Sequence, residues 1–238
     1  MLATRPTRAD YDRAFAREQQ NVYPAVDAYE RAMGFALDTG RLWAAARVLA
    51  CPVKAHPPNW QHGRVLYAAT RQYLDGATWP INCLDIGTAK GFSALCLRWA
   101  INDAGRTGEV VSVDVLHPWA RVARNTVAEV DGLQTLAEIL APWPAAMAIR
   151  FERSTGVDWL ERHAWRIHVA FVDGAHTSHV VRREGALLAK CQAQGDLVIF
   201  DDVQIAEVSI AVASLLDQYR IEYLEVLPSR QYALAVRR

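Results

Sequence analysis

The chain has 238 residues, 52% of them hydrophobic, enough to bury one full core with an appendage. Its 26 basic and 26 acidic residues cancel, leaving no long-range field to gather the protein on nucleic acid or on an anionic membrane. The opening MLATRPTRADYDR lacks an apolar stretch of signal-peptide length, and no later run approaches the roughly 20 residues of a membrane helix, so a cytoplasmic protein is expected. Cys51, Cys83, Cys96 and Cys191 show no C-x-x-C spacing and read as small core hydrophobes in a reducing compartment.

Residues 9–50 carry helix-compatible stretches with Val26, Tyr29, Met33 and Leu37 at three- and four-residue steps, interrupted near Pro24 and Gly40. A Pro-rich loop over 52–58 separates this helical preface from a second amphipathic helix over 60–74, where Leu66, Ala69 and Tyr73 share a face. The expected organisation is a helical extension or lid over 1–58 and a main domain over 59–238. Tyr and Trp in these helices are expected to pack rather than bind.

At 81–95 the sequence INCLDIGTAKGFSAL runs as an apolar strand, ends in Asp85, and breaks into turn residues before a helix that starts near Phe92. Gly87 and Gly91 remove Cβ where backbone must turn and admit a ligand, and the helix start offers unpaired N–H groups. A nucleotide-like ligand is the natural occupant. A dinucleotide fingerprint would need glycine two residues after Gly87, where Ala89 stands; the pattern is D-x-G-x-x-x-G-x-S, ending at Ser93.

From there strand-like and helix-like segments alternate. After the helix to Asn102 come a strand over 109–114, helices between Pro118 and Leu140, a loop around Trp143, and strands over 147–151, 168–173 and 196–201. Such alternation argues for right-handed crossovers and a mainly parallel sheet with helices on both faces. The end of the chain, 221–227, Pro228-Ser229 and 231–236, reads as a hairpin that adds a reversed, antiparallel strand.

Ligands of an open α/β sheet bind beyond the carboxyl ends of its strands, where Asp85, Asp114, Asp173, Asp201 and Asp202 fall. Asp114, closing VVSVD, is suited to accept both hydroxyl hydrogens of a ribose. Asp173, Asp201 and Asp202 end two strands expected to be adjacent, and clustered acids repel unless a cation sits among them; an all-oxygen site suits Mg²⁺ or another hard divalent ion. His176 follows Asp173 by three residues, so a turn at Gly174 would fold its imidazole over the same edge as a proton acceptor. His179 competes for that role, while His163 and His168 flank a strand and read as structural.

The glycine motif resembles motif I of the class I S-adenosylmethionine (SAM)-dependent methyltransferases. FVDGAHTSHV followed by GDLVIFDDV resembles the metal-dependent O-methyltransferases of the catechol and caffeoyl-CoA types and the macrocin-like sugar O-methyltransferases. The resemblance implies a Rossmann-like sheet over 59–238. It implies cofactor contacts at Asp85, Gly87, Thr88, Gly91, Ser93, Asp114 and, on the adenine side, Ser154. It further implies Mg²⁺ held by Asp173, Asp201 and Asp202, and His176 as base, the place a lysine takes in the catechol type. Where the catechol type has Asn, this chain has Asp202, which favours the sugar-modifying branch.

The expected activity is Mg²⁺-dependent methyl transfer from SAM to a hydroxyl of a small molecule with two chelating oxygens, with no nucleic-acid or membrane partner. A homodimer, if formed, is expected through the exposed face of the preface. Three other readings remain open. Transfer to nitrogen or carbon without a metal predicts activity in excess chelator, and a non-catalytic SAM-binding protein predicts binding without an ordered metal. A nicotinamide enzyme is disfavoured by Ala89.

Overall fold

The computed structural model describes residues 6–53, 58–227 and 229–238. Three helices, α1 (Arg8–Glu18), α2 (Pro24–Met33) and α3 (Thr39–Leu49), precede the longer α4 (His62–Asp75). Thr7 and Asp10 form a capping box that starts α1, and Pro24 opens α2, where a missing N–H costs nothing. The interruption expected near Gly40 lies instead at 34–38: the Asp38 side chain accepts from Arg41 N at 2.8 Å, so Gly40 falls inside the first turn of α3. Part of the expected 52–58 loop lies outside the described residues.

Among the described residues, seven strands follow: β1 (Ile81–Ile86), β2 (Gly108–Asp114), β3 (Ile149–Arg153), β4 (Val169–Val172), β5 (Leu197–Phe200), β6 (Tyr219–Leu227) and β7 (Arg230–Arg237). They form one sheet in the order β3-β2-β1-β4-β5-β7-β6. The first five pair in parallel, while β7 runs antiparallel between β5 and β6. This is the Rossmann-like methyltransferase architecture anticipated above, with its reversed strand supplied by the hairpin.

Side chains alternate across the sheet and divide the core in two. Cys83, Val110, Phe171 and Ile199 face α2, α3, α4 and α5 (Phe92–Asp103), whereas Leu84, Val111, Ala170 and Val198 face the opposite helices. Those are α7 (Gly156–Arg162), α8 (Ser178–Cys191) and α9 (Ala206–Ala213). Both faces are therefore covered, which is why the parallel strands read as unbroken apolar runs. All four cysteines are free thiols, with Cys51, Cys83 and Cys96 buried.

Two expected elements differ. The stretch between Pro118 and Leu140 is largely irregular, with a 3₁₀ turn at Val127–Glu129 and only α6 (Leu136–Leu140) as α-helix. Buried Arg124 explains part of this: its guanidinium donates to the carbonyls of Ala89 and His117, drawing the segment onto the glycine loop. The third strand begins at Ile149 rather than Met147, because Pro144 opens a 3₁₀ turn that runs to Ala148 and leaves Met147 91% exposed. Among the described residues, no helix is long and apolar enough to cross a membrane.

Candidate functional site

Among the described residues, two cavities meet beyond the carboxyl ends of β1 and β4. The larger, about 600 Å³, lies over β1, β2 and β3 and is walled by α8; the smaller, about 240 Å³, lies between the glycine loop, the end of α3 and the start of α4. Gly87, Ala89 and Asp173 border both, so the two spaces meet at the motif I loop.

That loop is held from beneath. Gly87 has φ 104°, and a Cβ there would collide with the carbonyl oxygen of Asp173, so only glycine lets β1 and β4 approach this closely. Asp85 was expected beside the methionine end of SAM, yet it is 0% exposed and lines neither cavity. Its carboxylate accepts from the Ser112 hydroxyl, which shares a 2.6 Å hydrogen bond with Thr88. Burial pushes the Asp85 carboxyl up to about 7, partly offset by Ser112 and Ser93. Asp85 therefore orients the loop from below, whereas Thr88 and Ser93 reach the smaller cavity.

Asp114 lines the larger cavity at the end of β2. Its Oδ2 accepts from Ala89 N and its Oδ1 from Leu116 N, both at 2.8 Å, leaving one lone pair on each oxygen for a vicinal diol. Ser154 also lines this cavity, with its hydroxyl engaged by Thr155 O and Arg162 Nη2. Gly91 is the N-cap of α5 and packs against Leu140.

The acids gather where the cavities meet. Single ligating atoms of Asp173, His176 and Asp202 lie within 4.8 Å of one another. His176 Nε2 stands 3.2 Å from Asp202 Oδ2 and 3.7 Å from Asp173 Oδ1. The Asp173 carboxylate beside it, with the charge of Asp202, raises the His176 pKa, opposed by burial. Burial and the Asp202 charge raise that of Asp173. His179 is exposed and lines the larger cavity, apart from this group.

Asp201 is committed elsewhere. Asn59 Nδ2 donates to its Oδ2 at 2.6 Å, the Asp202 N–H donates to its Oδ1 at 2.6 Å, and Arg230 Nη1 lies 3.3 Å from the same oxygen. Arg230 also bonds Asp202 Oδ1, and Tyr232 donates to Asn59 at 2.7 Å. Asp202 holds φ 56°, a conformation uncommon for a non-glycine residue and stabilised here by these bonds and by Gln204 Nε2 at 2.7 Å. Neither Asn59 nor Arg230 was legible as a site residue: each stands alone in its segment, far along the chain from the acids. His163 and His168 are structural, one stacked on Trp159 and the other accepting from Asn82 N.

A divalent cation fits between Asp173 and Asp202, whose hard oxygens converge from two adjacent strand ends, with the imidazole of His176 beside them. The preface borders the same space: Leu49, Ala50 and Pro52 line the smaller cavity. It is held to α4 by Arg64, which pairs with Asp27 at 2.6 Å and with Glu30, and to the segment before α4 by Trp60 Nε1 donating to Glu18 at 3.3 Å.

Comparison with solved structures finds the same fold. The O-methyltransferase of Bacillus cereus in complex with SAH superposes with a TM-score of 0.58 at 14% identity, covering 100% of both chains. Cofactor-bound Rv0187 from MTB gives 0.56 at 19% identity over 98% of both chains. SAH-bound PaMTH1 of Podospora anserina gives 0.56 at 12% identity over 100% of this chain and 98% of its own. No curated protein matches the sequence. The family model described as a methyltransferase domain matches residues 84–203, from within β1 to just past the Asp201-Asp202 pair. With the glycine loop, Asp114 and half the chain inside that match, the protein belongs to the methyltransferase-domain family, on the class I SAM-dependent fold.

Proposed function

We propose that the protein is a divalent-metal-dependent O-methyltransferase whose acceptor is a small molecule bearing two neighbouring oxygens. SAM lies in the larger cavity with its ribose on Asp114, and its methyl end points past Gly87 toward the acids. The smaller cavity takes the acceptor. One observation carries this reading: the cluster of Asp173, His176 and Asp202 stands where the two cavities meet.

Asp173 and Asp202 would hold the cation, with Asp201 fixing Asp202 through its backbone N–H. When bound, a divalent cation such as Mg²⁺ supplies charge that acidifies an acceptor hydroxyl, grips a second oxygen and relieves the carboxylate pull on His176. SAM supplies a methyl group already activated on its sulfonium. The protein's own part is orientation and proton handling. His176 Nε2 accepts the hydroxyl proton, for which it must be neutral. Asn59 and Tyr232 keep the Asp201 carboxylate in place, and the preface residues Leu49, Ala50 and Pro52 exclude water from one side of the acceptor space. The extension over 1–58 thus serves as a cover on the domain over 59–238, in a cytoplasmic enzyme that needs neither nucleic acid nor membrane.

A second reading has its own support. Arg230 already bonds both Asp201 and Asp202, so a built-in cation could serve in place of a metal. Crystals grown with SAH and soaked in Mn²⁺ separate the two. An anomalous peak between Asp173 and Asp202, with turnover of a vicinal diol or catechol abolished by chelator, supports the metal-dependent reading. Cofactor in place with no peak, and turnover indifferent to chelator, would overturn it in favour of Arg230.

A further inference from the structure

One wall of the larger cavity holds a carboxyl group with a buried oxygen that no described residue satisfies. Glu184, on α8, is 2% exposed, and its Oε2 is buried without a hydrogen-bond partner. Its neighbour Arg183 is engaged by Glu161 at 2.6 Å. Burial alone pushes the Glu184 carboxyl up to about 7, with no opposing charge or hydrogen bond to restrain it. A buried orphan of this kind destabilises a fold and calls for a reason.

The surroundings supply one. Gly156, at the start of α7, leaves bare backbone against Glu184: a Cβ there would collide with Glu184 Oε1 and with Ile86. Ile86, Val113, Val115, Val157 and Val180 give the same cavity apolar walls suited to a flat heteroaromatic ring. A neutral carboxyl presents an acceptor beside a donor. An adenine edge presents the complement, an exocyclic amine beside a ring nitrogen.

We propose that Glu184 reads the adenine of SAM, accepting a hydrogen bond from the exocyclic amine and donating its hydroxyl to the adjacent ring nitrogen. The inference rests on SAM occupying the larger cavity. It makes Glu184 a specificity-determining residue, carried on a helix that motif I does not include.

The test is calorimetric binding of SAH and its 6-desamino analogue to the full chain and to Glu184→Gln and Glu184→Leu, with melting temperatures of the ligand-free proteins. The native chain should prefer SAH by about tenfold or more, since removing the amine leaves a buried acceptor unpaired. Glu184→Gln should keep the preference, because its amide also sets an acceptor beside a donor. Glu184→Leu should lose the preference and about tenfold in SAH affinity while melting higher than the native chain, because the orphan carboxyl is gone. An unchanged preference in Glu184→Leu overturns the inference, as does a native chain that binds both ligands equally, a result that needs no variant to fold. Failure of the native chain to bind SAH at all would instead remove the SAM reading, and this inference with it.

Discussion

The two cavities are built in different ways. The larger is made from short runs that each follow a strand of the parallel sheet: the glycine loop, Asp114 with the two residues after it, the turn after β3, and the stretch from Asp173 into α8. The smaller draws Pro52, Asn59, His62, Asp202 and Arg230 from nearly the full length of the chain. The first is a local motif laid on a sheet, and the second exists only once the preface and the terminal hairpin have closed around it. Cofactor binding is therefore expected to survive changes that destroy turnover.

The largest effect is expected from Asp202→Asn. Turnover should fall by at least about a hundredfold while SAH affinity, read by calorimetry, stays near that of the native chain. A parallel loss of SAH binding in a folded protein would mean that the cavities are one energetic unit. Next is Arg230→Met, which leaves Asp201 and Asp202 without their internal cation and should cost about 3 kcal/mol in metal-free urea unfolding. Added Mn²⁺ should recover much of that loss if the acids bind a divalent ion, and none of it if Arg230 alone serves them.

A pH series probes the buried carboxyls beneath and beside the larger cavity. Asp85 and Glu184 titrate near 7 in the folded protein, against 3.8 and 4.5 as free groups. Between those limits the native state binds more protons than the unfolded chain, so stability is highest below about pH 4 to 4.5 for these two groups and falls as pH rises toward 7. The slope is about 1 kcal/mol per group per pH unit. Glu184→Leu should flatten the slope by one group's share, and an unchanged slope would show that Glu184 is not buried in solution as it is here. The smallest effect is expected from Asp114→Asn, about tenfold in SAH affinity, because the amide still accepts one ribose hydroxyl while opposing the other. Its turnover at saturating SAM should stay close to native, the reverse of the Asp202→Asn pattern.

What was readable in the sequence follows the same division. Alternating apolar runs and strand-end acids announced the parallel sheet, and D-x-G-x-x-x-G-x-S announced the loop, because backbone geometry and strand periodicity act over a few residues. The helices expected between Pro118 and Leu140 are mostly absent because Arg124 spends its guanidinium on the glycine-loop backbone, a bond across 35 residues that no local propensity encodes. Asp85 carried the right motif position and a different place, since burial beneath the loop depends on Ser112 in the neighbouring strand.

By itself, then, the sequence determined the succession of strands, the reversed last strand, the glycine loop and the set of acids at the strand ends, all of which follow from local chemistry and a period of two or 3.6 residues. Only the tertiary structure decided which acids meet His176, that Asp201 is held by Asn59 and Arg230, and that Glu184 lies in the wall of the larger cavity with Oε2 unpartnered among the described residues. Those outcomes depend on contacts between segments up to 173 residues apart, such as Tyr232 with Asn59. A side chain's partners across such a distance are chosen by the packing of whole layers, and no window of sequence contains that information.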